Sequence, residues 1–79
     1  MGFEYKIAFE VGDQAELQVI ADKLVASVSP QREFVEVQVV VEADGINFCD
    51  FTKSAVSSII FRKLIDTALI YSQVTIHEL

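Results

Sequence analysis

The sequence predicts one α+β domain over residues 1–79, ordered β-α-β-β-α: a three-stranded antiparallel sheet with two helices packed on one face. A fourth strand from the C-terminal tail is the alternative. Three observations lead there. Apolar residues alternate with polar ones from Phe3 to Val11 and again from Phe34 to Glu42, the period of two of a strand with one buried face. Asp44-Gly45 sits between two such runs, a strong hairpin signal. From Thr52 to about Gln73 the chain contains no Gly or Pro and repeats apolar residues at helical spacing.

Taken in order, the first strand places Phe3, Tyr5, Ile7, Phe9 and Val11 on one face, with Glu4, Lys6 and Glu10 on the other. Gly12 breaks the pattern. Asp13 then caps a helix from about Gln14 to Val28, with Glu16 three residues on in a capping-box-like arrangement. Leu17, Ile20, Ala21, Leu24 and Val28 form its apolar stripe. Ser29-Pro30 ends it, because the residue before proline is pushed out of the helical region. Gln31, Arg32 and Glu33 make a short polar connection.

In the second strand Val35, Val37, Val39 and Val41 share a face. A two-residue turn at Asp44-Gly45 pairs Ala43 with Ile46 and Val41 with Phe48, so Ile46 and Phe48 join the valines. Asp50 and Phe51 break the alternation and lead into the long helix, for which Thr52 is the best-placed cap. At about 100° per residue, Val56, Ile60, Leu64, Ala68 and Tyr71 fall on one face, flanked by Phe61 and Ile65. Ile59 and Ile70 lie on the far side beside Arg62, Lys63, Asp66 and Gln73, and Leu69 fills a further flank. That apolar arc is wider than one sheet can cover, which points to a partner. Val74, Thr75 and Ile76 favour a strand by propensity, but no breaker separates them from the helix, so the tail reads as a frayed helical continuation.

At 79 residues the domain is near the size where a lone core is marginal, and oligomerisation is a common remedy. The net charge of −6, with Lys6, Lys23, Arg32, Lys53, Arg62 and Lys63 scattered, argues against a freestanding nucleic-acid binder. One cysteine, Cys49, cannot form an internal disulfide, and there is no signal-peptide pattern and no apolar run of membrane-spanning length. A soluble intracellular protein is expected, cytoplasmic, or nuclear in a eukaryote.

No catalytic constellation emerges. His77 is the sole histidine and has no ligand-spaced neighbours, so no metal site is expected. Cys49 lies opposite the Ile46/Phe48 face with no base nearby to activate it, and reads as a small apolar filler. Asp50 points inward by the hairpin register and reads as a strand end that caps the coming helix. No glycine-rich loop precedes a helix. The chain reads as a non-enzyme without a cofactor. The residues expected at or near a protein interface are Leu17, Leu24, Ile59, Arg62, Asp66 and Ile70, with Arg62 and Asp66 rimming it at i and i+4.

Three short matches in order suggest a family. Lys6-Ile7-Ala8-Phe9-Glu10 on the first strand, Ser29-Pro30 at the end of the first helix, and Val56-Ser57-Ser58-Ile59-Ile60 in the long helix resemble the small Pcc-type (CTAG-like) subunit of the KEOPS complex, which makes threonylcarbamoyladenosine on ANN-decoding tRNA. The resemblance covers nearly the whole chain and includes the element order. Two departures stand out: Lys53 occupies the place of an arginine common in that family, and the loop after Ser29-Pro30 lacks the acidic residue that often follows. A paralogue that pairs with a sister subunit would fit both.

The resemblance implies a non-catalytic dimerisation and scaffold subunit. It would pair with itself or with a paralogous sister, dock by its helices on the catalytic threonylcarbamoyltransferase subunit, and meet tRNA only indirectly, with no membrane contact. The alternative from a different class is a ferredoxin-like regulatory or small-molecule-binding dimeric module, which requires the tail to form a fourth strand.

Overall fold

The computed structural model describes residues 3–28 and 37–79. The Ser29-Pro30 helix stop, the 31–33 connection and the first residues of the second expected strand fall outside that range. The elements are β1 (Phe3–Ala8), α1 (Gln14–Val28), β2 (Val37–Glu42), β3 (Gly45–Asp50), α2 (Ala55–Tyr71) and β4 (Thr75–Glu78). The α+β class and the element order are as the sequence predicts, with the fourth strand formed. The sheet order is β2-β3-β1-β4 and every neighbouring pair is antiparallel, the ferredoxin-like arrangement of a β-α-β-β-α-β chain.

The core lies between the helices and one face of the sheet. Ile7 and Phe9 from the first run, Val37 and Val41 from β2, and Ile46 and Phe48 from β3 are buried against Leu17 and Ala21 of α1 and Ile60, Leu64 and Ala68 of α2. Phe61 bridges two strands from above, its ring 4.9 Å from Phe48 and 5.2 Å from Tyr5. The opposite face of the sheet carries the other alternation: Glu4, Lys6 and Ala8 on β1, Asn47 and Cys49 on β3, Gln38, Val40 and Glu42 on β2.

Four expectations are corrected. The tail is not a helical continuation: Ser72 turns to extended backbone at φ −167°, its N–H closes on the Ala68 carbonyl, and its hydroxyl accepts from the Glu10 N–H at 2.8 Å. That tertiary contact stops α2 and turns the tail back to pair with β1. The first strand ends at Ala8 rather than Val11, because the Phe9 N–H is taken by the Asp44 carbonyl and that of Glu10 by Ser72.

The β2–β3 turn falls on Ala43-Asp44, with Glu42 opposite Gly45 and Val41 opposite Ile46. Gly45 is required at the start of β3 for a different reason than a two-residue turn: its φ is +153°, and a Cβ there would collide with the Ile7 carbonyl. The register shift is two residues, so Ile46 and Phe48 stay on the valine face. The N-cap of α2 is Ser54, not Thr52; its hydroxyl accepts from the Ser57 N–H at 3.1 Å.

The cause of that last shift is Asp50. Its carboxylate is buried at the end of β3 and accepts from the Thr52 N–H at 3.1 Å, the Lys53 N–H at 2.8 Å and the Ser57 hydroxyl at 3.0 Å. A buried carboxylate is costly unless it is hydrogen-bonded, and here two amides of the connection and the Ser57 hydroxyl in the first turn of α2 satisfy it. The connection is thereby drawn into a tight bend, with Lys53 in the left-handed region at φ 52°. The helix can begin only after it.

Candidate protein interface

α2 carries apolar residues on both flanks of its buried row, with Phe61 and Ile65 packed on the core and Ile59, Leu69 and Ile70 exposed. Ile60, Leu64 and Ala68 point into the core, and rotation at about 100° per residue puts Ile59 and Ile70 on one side of that direction and Phe61, Ile65 and Leu69 on the other. Ile59 is 44% exposed, Leu69 56% and Ile70 83%. Burying one such side chain is worth about 1.5–3 kcal/mol, so this helix holds apolar surface that the monomer leaves in water. Lys63 and Asp66 are exposed on the Ile59–Ile70 side, and Arg62 is exposed on the back of the helix between Ile59 and Leu69. Among the described residues the ion pairs are those of Lys6, so Arg62 and Asp66 are not joined to each other.

Of the six expected interface residues, the structure brings Ile59, Arg62, Asp66 and Ile70 to one outward row of α2. It does not bring the two α1 residues there. Leu17 is 1% exposed and sits in the core. Its stripe position reflects packing on the sheet, and it has no surface to offer a partner. Leu24 is half-buried against that core.

The two edges of the sheet differ. On β2, the Gln18 side-chain amide donates to the Val39 carbonyl at 3.3 Å while its oxygen accepts from the Val41 N–H at 2.8 Å. Gln14 donates to the Val41 carbonyl at 3.0 Å. Two glutamines one helical turn apart thus supply part of the bonding a further strand would supply. The hint in the sequence was Gln14 and Gln18 at i and i+4 beside the Leu17–Ala21 stripe.

On β4, all four residues are exposed. Thr75, Ile76, His77 and Glu78 stand opposite Ala8, Ile7, Lys6 and Tyr5, and the Leu79 N–H donates to the Glu4 carbonyl at 2.9 Å. Because backbone bonding alternates along an antiparallel pair, residues 75, 77 and 79 turn their amides to β1. Val74, Ile76 and Glu78 turn theirs to the open edge.

Two lysines outside these surfaces have structural partners. Lys6, on the open face of the sheet, binds Glu42 at 2.5 Å and Asp44 at 2.7 Å. Lys53 donates to the Tyr5 hydroxyl at 3.0 Å and lies 4.2 Å from the centre of the Phe3 ring. That hydrogen bond raises its pKa. Cys49 is half-buried on the outer face opposite Glu4 and Gln38. Burial, then the charges of Glu4 and Asp50, push its thiol up, away from the thiolate that nucleophilic chemistry needs. His77 is exposed opposite Lys6.

Among the described residues, no cluster of three His, Cys, Asp or Glu side chains is arranged to hold a metal ion. No described helix is long and apolar enough to cross a membrane. Comparison of the chain with protein-family profiles, with characterised proteins and with solved structures returned no match.

Proposed function

We propose that this chain is a non-catalytic dimerisation and scaffold module. On its sequence resemblance, we propose that it serves as the small Pcc-type subunit of KEOPS, or as a paralogue of it. In that role it pairs with itself or a sister subunit, bridges copies of the catalytic subunit, and supports threonylcarbamoyladenosine formation on ANN-decoding tRNA without chemistry of its own. The observation that carries the assembly role is the outward row Ile59–Arg62–Asp66–Ile70 on α2, apolar at both ends and charged between. Large apolar side chains left in water on one face of a helix mark a docking surface.

The KEOPS assignment adds the identity of the partner. It rests on the ordered matches at residues 6–10, 29–30 and 56–60. With a net charge of −6, contact with tRNA is left to the partners.

Light scattering coupled to size exclusion, over a concentration series, tests the dimer; co-purification with the catalytic threonylcarbamoyltransferase subunit tests the partner. Ile59→Asp should abolish capture of that subunit while its circular dichroism stays that of the wild type. Undiminished capture by this variant removes the α2 row from the interface.

β4 favours a second reading. A fourth strand completes the ferredoxin-like sheet, and domains of that arrangement also serve as regulatory or small-molecule-binding dimers. A dimer that ignores the catalytic subunit and is raised in Tm by a metabolite panel would establish this reading over the first.

A further inference from the structure

The segment after α2 carries a sequence that two structures can use. We propose that residues 72–79 are a strap with two states: β4 paired to β1, as the structure holds it, and a continuation of α2 that lifts the segment off β1. The change needs no partner and is independent of the assembly proposed above.

Nothing in the local sequence ends α2 at Tyr71. No Gly or Pro lies between Ala55 and Leu79. Ser72 leaves the helix in extended backbone, at φ −167° and ψ −175°, without the left-handed glycine that commonly closes a helix. The stop is tertiary. The Ser72 hydroxyl accepts from the Glu10 N–H at 2.8 Å, 62 positions away in the chain. When that bond breaks, the helix has no local signal to end where it does.

Both states satisfy the backbone of the segment. As β4, residues 75, 77 and 79 turn their amides to β1, and the Leu79 N–H reaches the Glu4 carbonyl at 2.9 Å. As helix, each N–H finds the carbonyl four residues back. The side chains separate the two states only weakly. All four β4 residues are exposed, and Ile76 and Leu79 keep 45% and 65% of their surface in water. Val74 packs on the core and favours the strap in place.

The helical pattern fits the segment as well. Continuing α2 at about 100° per residue puts Ile76 on the Ile65–Leu69 flank, with Leu79 beside it. Lifting the segment lengthens α2 by about two turns. It bares the outward backbone groups of Lys6 and Ala8 at the sheet edge, where water bonds them. Pairing with β1 and the Val74 contact make β4 the major state. The helical state is the minor one, within the range of roughly 0.1–10% that such pairs show.

NMR exchange spectroscopy on the wild-type chain, by saturation transfer and relaxation dispersion on backbone carbons and amides, reads both states. Residues 73–79 should show a minor state with the α-carbon shifts of helix. The Lys6 and Ala8 amides, which face β4, should exchange at the same rate. Rate and population should not vary with protein concentration, which separates the strap from any association.

Two variants push the balance in opposite directions. Ser72→Ala removes the bond to Glu10 and favours helix, and should raise the minor population about fivefold or more. Gln73→Pro should abolish that state, because proline cannot continue the helix and Ser72 already has the extended backbone of a residue before proline. If Gln73→Pro fails to fold, the wild-type and Ser72→Ala spectra decide. A minor state with random-coil shifts would be simple fraying and overturns the proposal. So does a helical minor state that persists in Gln73→Pro, or a Ser72→Ala chain with no helical state at all. A chain that stays monomeric while its strap exchanges as expected would remove the homodimer and leave the strap standing.

Discussion

The two edges of the sheet are built from similar alternating sequence and end in opposite states. β2 has a helix beside it, and that helix spends two glutamine side chains on the strand's outward backbone. β4 is four residues long and exposed throughout, and among the described residues nothing bonds its outward amides. Natural sheets protect edges because an unprotected one recruits further strands. A fold that shields one edge with specific side chains and leaves the other bare has separated the two tasks: one edge terminates the sheet and the other is available to extend it. The difference lies in the helices. α1 presents Gln14 and Gln18 to its edge, whereas the α2 flank nearest β4 presents Ile65 and Leu69, which can cover a strand but cannot bond its backbone.

The largest effect is expected at the centre that both edges share. β3 and β1 approach so closely at Gly45 that any Cβ collides with the Ile7 carbonyl, and the φ of +153° is foreign to other residues. Gly45→Ala should therefore destabilise the domain by about 3 kcal/mol or more, read from urea unfolding. It should abolish any contrast between the edges, because neither strand pair survives without the central one. A loss below about 1 kcal/mol would mean that the β1–β3 approach relaxes, and that the register at the start of β3 is not fixed by this contact.

A smaller change addresses the β2 edge alone. Gln18→Leu keeps the bulk on the α1 flank and removes both bonds to the strand, leaving a part-buried Val41 N–H and Val39 carbonyl without that partner. The expected cost is about 1–3 kcal/mol. The sharper readout is assembly: with β2 uncovered, the variant should pass from a closed species to larger, concentration-dependent ones by light scattering. Destabilisation without a change in assembly would reduce Gln18 to an ordinary helix-to-sheet tie and remove the asymmetry of the edges as a device.

The sequence made much of this arrangement legible, and the physical reason is the same throughout. Wherever burial on one face dictates the pattern, as in β1, α1, the valine face of β2 and the Ile60–Leu64–Ala68 row, periodicity locates the element and its inward side. The outward row Ile59–Arg62–Asp66–Ile70 follows from the same helical wheel, and the structure leaves those four residues exposed. Features that depend on a polar partner far along the chain were not legible. The stop of α2 at Ser72 relies on the Glu10 amide, so a tail with strand propensity looked like helix. The cap at Ser54 and the bend at Lys53 rely on Asp50 folding its own connection around a buried carboxylate. Leu17, which shares its stripe with true core residues, cannot be told from a surface leucine by spacing alone. The open β4 edge was hidden because it requires knowing that β4 exists.

The smallest effect is expected beside the covered edge, where Lys6 reaches across the open face of the sheet from β1 to Glu42 at the end of β2 and to Asp44 in the turn. The hydrogen bond from Lys6, and then its charge, hold the Asp44 carboxyl below its ordinary pKa of 3.8. In acid the unfolded chain therefore takes up that proton more readily than the folded one. The stabilisation is fully present above the ordinary value and is lost as the pH falls through the lowered one. On the alkaline side, hydrogen bonds to Asp44 and then Glu42 raise Lys6 above 10.5, so its contribution persists through neutral pH and fades as the pH rises through the raised value.

Asp44→Asn should lower the Tm slightly at pH 7, on the order of a degree, because the Asp44 carboxylate is exposed to solvent and screened. The difference from wild type should vanish as the pH is taken below the lowered value of Asp44, and shrink at pH 7 in about 1 M salt. The same substitution should leave assembly unchanged, since Asp44 bonds Lys6 on the face of the sheet opposite the helices, away from the α2 row. A Tm difference that persists in strong acid would show that Asp44 acts through its turn geometry and the Phe9 contact of its carbonyl, not through its charge. Weakened assembly would place the turn, and with it the open face of the sheet, in the interface.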